Sequence, residues 1–428
     1  MRPYCLEANC ISRHGAENAL SSHLPDLDVE LFPYVGDTVL LPPHLEAALV
    51  ERLGAKGSRA ALTEAGLSNM REEDLDQVLR KLLQVPAELA HRTEQARLGA
   101  ESADARTWHL DMCRVREAWA VAGGPYDFEW GTLCLGQVDT GYTSHPAFGF
   151  PDQPSVRVEL ARDFMESPPP GDGRDPLTGG SGGHGTASGS LINAYDMITP
   201  CLGVAPRVPL VPTRISDCVI IDDRADEFES AVRYLVDEVQ VGVINVSMGT
   251  FARLLPPAPL VRALDHAYDR GVIVCCAAGN VPVPQWPAYP ARLARSIAVA
   301  GVTQKARRWA LSSSGDWVDF SAPAKQVWRA ISRRGCDYDF ARTGGGTTFA
   351  AAMTSGAAAL WLLRHDQTIA NRYGEPWQRI EAFRLMACRT AWRPSGWDVD
   401  AGLGSGILNV AALMDPQYLP DPRELERR

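Results

Sequence analysis

Six consecutive residues, Val272-Ile273-Val274-Cys275-Cys276-Ala277, are all apolar. A strand with one wet face alternates apolar and polar residues, so an unbroken apolar run belongs to a sheet covered on both faces, the habit of parallel sheets. The run follows a helical pattern in which Leu260, Val261, Leu264, Ala267 and Tyr268 share one face and Gly271 stands at the C-cap. The same alternation recurs along the chain. Thr132 to Val138 predicts a strand ending at Asp139; Phe228, Val232, Leu235, Val236 and Val239 share a helical face ahead of a strand at Val241 to Val246; Ile297 to Val302 predicts another. From about Trp108 onward the chain therefore reads as α/β, a parallel sheet with helices on both faces and no internal repeat. In such sheets ligands gather beyond the carboxyl ends of the strands, which is where Asp139, Ser247 and Asn280 fall.

The first hundred residues have a different character. Leu45, Leu49 and Leu53 mark one helix, with Pro42-Pro43 ahead of it where proline suits a helix start, and Leu75, Val78, Leu79, Leu82 and Leu83 mark another. A mixed-charge stretch from Glu88 to Arg106 reads as helix or linker. The expected division is a smaller N-terminal domain over 1–105, the α/β domain over 106–415 and a tail over 416–428.

Hydrophobic residues make up 45% and charged residues 22% of the 428, an ordinary globular balance. A net charge of −10 argues against a non-specific nucleic-acid or anionic-membrane partner, and the Arg-rich touches at 305–308, 333–334 and 427–428 are too brief to form a basic stripe. No apolar run is long enough to span a bilayer, and Met1-Arg2-Pro3-Tyr4-Cys5-Leu6-Glu7 turns polar at once, so the expected location is cytoplasmic. Ten cysteines are too few for a disulfide scaffold and read as buried thiols, with Cys275 and Cys276 on opposite faces of their strand. Cys5, Cys10, His14 and His23 match no common zinc spacing. Asp222, Asp223, Asp226 and Glu227 read as a helix N-terminus that favours negative charge, not as a calcium loop. No cofactor is expected.

Acyl transfer by a hydroxyl needs a base to take its proton, a carboxylate to orient the base and donors for the oxyanion. Asp139 follows a buried strand in Val138-Asp139-Thr140-Gly141. His184 follows the Gly-rich loop 179–183, and Asn280 ends Ala277-Ala278-Gly279-Asn280. Thr348 lies in Gly346-Thr347-Thr348-Phe349-Ala350-Ala351-Ala352-Met353-Thr354-Ser355-Gly356, whose small residues suit a closely packed helix. Taken singly, each has a plainer reading: a turn cap for Asp139, a glycine turn for His184, a left-handed turn for Asn280. His145 stands nearer Asp139 in sequence, but its His-Pro pair reads as structural.

Together these segments resemble the subtilisin-like serine proteases, the subtilases. The resemblance runs from Trp108-His109-Leu110 and Glu117-Ala118-Trp119, through Gly203-Val204-Ala205-Pro206, Val243-Ile244-Asn245-Val246-Ser247-Met248-Gly249 and Phe320-Ser321-Ala322-Pro323, to Gly406-Ile407-Leu408-Asn409-Val410. It implies Asp139 as orienting acid, His184 as general base and Thr348 as nucleophile, where the family has serine. Asn280 and the Thr348 N–H would serve the oxyanion, and Ser247-Met248-Gly249 would pair with an extended peptide or protein substrate. Ala352 and Met353 stand where the family has proline and histidine. Without the proline ring, the turn at Ala352 can relax to admit the extra methyl of Thr348.

The family often binds calcium, and residues 1–105 occupy the place of its inhibitory prosegment, so a prosegment, a regulatory domain and a partner-docking domain stay open; a prosegment would imply a self-cleavage junction between about Arg97 and Arg106. Two other readings remain: an inactive scaffold that binds peptides as regulator or adaptor, and a ligase or cyclase that passes the acyl group to an amine.

Overall fold

The computed structural model describes residues 34–35, 38–39 and 103–428 except 126, 167–170, 196–200, 252–254, 287 and 335. The helices expected within 44–83, the Cys5, Cys10, His14 and His23 group, and most of the expected cleavage junction lie outside the described residues. Tyr34–Val35 and Thr38–Val39 pair antiparallel.

Seven parallel strands form the main sheet: β1 Leu135–Asp139, β2 Arg162–Asp163, β3 Leu210–Arg214, β4 Val243–Val246, β5 Ile273–Ala277, β6 Ile297–Val302 and β7 Phe320–Pro323. Their spatial order is β2-β3-β1-β4-β5-β6-β7. From β1 the chain goes to the edge at β2, comes back to β3 beside β1, and then builds β4 to β7 on the other side, so the order reverses at β1. A crevice opens at such a reversal, beyond the carboxyl ends of the strands.

The apolar strands serve two cores. Ile273 and Cys275 of β5 pack on one face with helix α6 (Thr347–Arg372), whereas Val274 and Cys276 pack on the other with α4 (Ala225–Arg233) and α5 (Ala258–Asp269). The two cysteines therefore do face opposite ways. Burial pushes the Cys275 thiol up to about 12 and holds Cys276 well above the usual range. Cys113, Cys134, Cys218, Cys275, Cys276 and Cys388 form no disulfide.

Around this frame lie α1 (Ala103–Met112), α2 (Val115–Val121), α3 (His184–Asn193), α7 (Pro376–Thr390) and α8 (Val410–Leu413). A hairpin of β8 (Arg329–Arg333) and β9 (Cys336–Ala341) packs on α3. The predicted helix through Val239 is not uniform: α4 ends at Arg233, and Tyr234–Val239 widen into a π-turn. That turn buries Tyr234, Leu235 and Val236 in succession. Leu235 fills the space left by Gly136, where a Cβ would come within 2.7 Å of its Cδ1.

Helix α6 holds its first sixteen residues, 347–362, in the interior. Alanine and glycine permit this. A Cβ at Gly356 would stand 2.8 Å from the Val204 Cβ, so the close approach of the two segments requires glycine. The tail at 416–428 is stitched to the body: Tyr373 Oη donates to the Pro420 carbonyl at 3.0 Å, the Arg428 N–H donates to Tyr268 Oη at 3.0 Å, and Leu419 and Leu425 are buried. Among the described residues no helix is long and apolar enough to cross a membrane.

Candidate active site

Asp139 is the last residue of β1, paired with Arg214 of β3 and 1% exposed. Its Oδ1 lies 2.7 Å from His184 Nδ1 and accepts the Thr140 N–H at 2.8 Å, while its Oδ2 accepts from Ser188 Oγ at 3.0 Å. A carboxylate so occupied fixes the ring plane of His184 and sets the proton on Nδ1. Nε2 is then the basic nitrogen.

Local geometry supplies these partners. His184 opens α3, and Ser188 follows four residues later on the same helical face. Gln137 sits two residues before Asp139 on the same strand face. Its Nε2 donates to the Gly185 carbonyl at 2.8 Å and to Ser188 Oγ at 2.9 Å, which locks the first turn of α3 against β1.

Asp175 adds a second carboxylate behind the histidine. It accepts from Thr140 Oγ1 at 2.6 Å, from the Gly183 N–H at 2.7 Å and from the Leu177 N–H at 2.8 Å. Burial raises its pKa above the usual carboxylate value, opposed by these hydrogen bonds, with the charge of Asp139 adding to the rise.

Thr348 stands in the first turn of α6 and is 8% exposed. A Cβ at Gly346 would fall 2.6 Å from Thr348 Oγ1, so glycine there leaves the hydroxyl its room. The Thr348 carbonyl accepts from Ser247 Oγ at 3.2 Å, and Ser247 in turn accepts from Asn245 Nδ2 at 3.0 Å. Ala352 and Met353 are fully buried in the following turn. Among the described residues no hydrogen bond joins His184 to Thr348. Such contacts commonly tighten only once substrate is bound.

Asn280 follows β5 by three residues. Its Oδ1 accepts from the Thr347 N–H at 3.0 Å and from Thr347 Oγ1 at 2.9 Å, and Thr347 Oγ1 accepts from the Gly279 N–H at 3.0 Å. With its oxygen held in this way, Asn280 presents Nδ2 as a donor beside the open N-terminus of α6, where first-turn N–H groups lack helical acceptors.

Of the segment expected to meet a peptide, Ser247 is fully buried and Met248 is 3% exposed. Gly249 is half-buried. His145 accepts the Ala147 N–H on Nδ1 at 3.0 Å, and its Nε2 lies 3.1 Å from the Asp339 carbonyl, so it braces the β8–β9 hairpin. Asp226 and Glu227 occupy the first turn of α4. Among the described residues no group of three or more His, Cys, Asp or Glu is placed to hold a metal.

Residues 132–402 match the subtilase family of peptidases. The chain is 28% identical over 334 residues to an extracellular serine proteinase of Thermus sp. strain Rt41A, covering 76% of this chain and 73% of that protein. Solved structures share the fold. MycP1 with its N-terminal propeptide removed superposes with a TM-score of 0.54 at 22% identity, over 72% of this chain and 96% of the other. The prenylagaramide maturation protease PagA gives a TM-score of 0.52 at 21% identity, over 72% and 98%.

Proposed function

Since this chain belongs to the subtilase family, we propose that it cleaves peptide bonds with Asp139, His184 and Thr348, the threonine acting as nucleophile. The observation that carries this reading is the 2.7 Å contact from Asp139 Oδ1 to His184 Nδ1 at the carboxyl end of β1. A scaffold without chemistry has no physical need to bury a carboxylate against an imidazole there.

The steps follow from the side chains. His184 Nε2 takes the proton of Thr348 Oγ1 as the oxygen bonds to the scissile carbonyl carbon. The carbonyl electron pair moves to oxygen, where Asn280 Nδ2 and the Thr348 N–H receive it. The imidazolium, held by Asp139, then gives its proton to the departing amine, leaving an acyl-threonine. Water attacks that ester by the same route in reverse, and Thr348 regains its proton.

Threonine adds a methyl beside the attacking oxygen. One extra methyl in a packed site costs about 1–3 kcal/mol, which in a transition state is a slowing of roughly five- to a hundred-and-sixtyfold. Loss of the nucleophile is far worse, about 10⁶-fold. The proposal is therefore a slow enzyme, not an inert one.

The test is mass spectrometry of a diverse peptide pool after incubation with the full-length protein, Thr348→Ala and Thr348→Ser. Cleavage that is lost in the alanine variant and raised in the serine variant sustains the reading. Equal cleavage by wild type and Thr348→Ala overturns it. Products at ligated masses would instead assign an amine as the acceptor.

A further inference from the structure

Gly249 continues the chain beyond β4, and its two peptide groups are already engaged. Its N–H donates to the Val219 carbonyl at 3.0 Å, and its C=O accepts the Ile221 N–H at 3.1 Å, so that Ile220 and Gly249 form a parallel bridge. These are the groups an added strand would use.

The same segment is fastened on its other side. The Ser181 N–H donates to the Asp217 carbonyl at 2.9 Å, and the Val219 N–H donates to Ser181 Oγ at 3.3 Å. The Asp217 carboxylate pairs with Arg214 Nη2 at 2.5 Å, at the end of β3. Ser181 lies three residues before His184, in the Gly-rich loop that delivers the imidazole. Residues 217–221 thus run from the Gly249 edge to the His184 loop, hydrogen-bonded to both. Cys218, Val219 and Ile220 are half-buried, and only Ile221 is anchored in the core.

We propose that Asp217–Ile221 is an intramolecular strap that occupies the strand position beside Gly249, and that an extended peptide enters by displacing it. The inference rests on Ser247-Met248-Gly249 being the strand that meets substrate. A protein whose binding-competent state is partly populated binds more weakly by that fraction, so the strap holds back extended substrates. It leaves alone a substrate whose acyl group is too short to reach Gly249.

The experiment compares the full-length wild type with Val219→Gly/Ile220→Gly, which loosens the strap by adding backbone freedom. Ser181→Ala, which removes one fastening, serves as a milder second variant. Two probes separate the effects: fluorescein-labelled casein supplies extended chains, and p-nitrophenyl acetate supplies an acyl group of two carbons. Two backbone hydrogen bonds are at stake, so casein kcat/KM is expected to rise roughly three- to tenfold in the double-glycine variant and less in Ser181→Ala. Hydrolysis of p-nitrophenyl acetate by the double-glycine variant should stay unchanged. Casein turnover that does not rise in either variant overturns the strap. If wild type hydrolyses p-nitrophenyl acetate no faster than Thr348→Ala, the peptidase reading has failed separately. Casein affinity then decides for the strap: tighter binding in the two variants sustains it, and equal binding overturns it.

Discussion

Thr140 Oγ1 donates to Asp175 at 2.6 Å and at the same time accepts the Gly185 N–H at 3.0 Å, so one hydroxyl ties the residue after Asp139 to the residue after His184. Asp175 completes the tie by accepting the Gly183 N–H on the other side of the histidine. Asp139 and His184 are therefore held at their distance through their neighbours as well as through their own contact.

Asp175→Asn should expose that dependence. All three partners of Asp175 donate, and an amide nitrogen would have to face one of them. The expected loss of stability is about 1–3 kcal/mol, the usual consequence of a buried donor left unpaired. Activity should fall about tenfold in kcat with little change in KM, since the substrate itself is not touched. Urea melts and steady-state kinetics on one preparation check both parts. A variant with the stability loss and full kcat would confine Asp175 to folding.

Asn280 has two separable duties, holding Thr347 through Oδ1 and offering Nδ2. Asn280→Ala removes both and should lower kcat by about 10²- to 10³-fold, the size seen when an oxyanion donor is lost. Thr347→Val keeps the donor and removes only the hydroxyl that anchors it. It should lower kcat by roughly tenfold, because the amide is less well aimed. Equal losses in the two variants would mean that Asn280 acts only as an anchor.

Periodicity explains which of these groups could be read from the chain. Asp139 was read from its place after a buried strand and His184 from its place after a Gly-rich loop, whereas their supports Gln137 and Ser188 were not, although spacings of two and four set them on the same strand and helix faces. The parallel sheet followed likewise from unbroken apolar runs. Asp175 gave no such signal: it reaches Thr140 across 35 residues of irregular, Gly- and Pro-rich chain that has no period to read. The pairing of Ile220 with Gly249 was hidden for the same reason, since register between a loop and a strand end is set by tertiary packing. The π-turn after α4 depends on the missing side chain of Gly136, which no pattern within the helix reveals.

His109 should make the protein acid-sensitive. It lies in α1 at 1% exposure, and neither ring nitrogen has a hydrogen-bond partner. Burial, assisted by the nearby Arg116 charge, lowers its pKa from 6.5 to about 3. A depressed histidine pKa means that the unfolded chain binds the proton first. The neutral ring's contribution is thus complete above pH 6.5 and is withdrawn as pH falls through 3, by about 5 kcal/mol in all. His109→Leu should leave stability at pH 7 unchanged or higher, and should shrink the drop in Tm between pH 7 and pH 4. An identical drop in the variant would place the acid sensitivity elsewhere.

Arg384 is the residue whose loss should most damage the fold without touching the site. Its side chain is 4% exposed and its guanidinium is shared among four acceptors. Nη1 donates to Asp319 at 2.7 Å and to the Ser296 carbonyl at 2.8 Å, Nη2 to the Ala294 carbonyl at 3.1 Å, and Nε to Glu381 at 3.1 Å. Asp319 also accepts the Ala298 N–H of β6 at 2.8 Å, so α7 is bound to the edge of the sheet through one cation. Arg384→Met leaves buried Asp319 without its counter-charge and Glu381 with Arg428 alone, 3.5 Å away, and should destabilise the protein by about 3–5 kcal/mol. Arg384→Lys keeps the charge but lacks the planar fork that reaches all four oxygens, and should lose less. Adding Glu381→Leu to Arg384→Met removes a buried carboxylate left with only the Arg428 pair, so the double variant should be more stable than Arg384→Met alone. Denaturant midpoints for the three variants order these outcomes, and a double variant no better than the single would show that Glu381 carries none of the penalty.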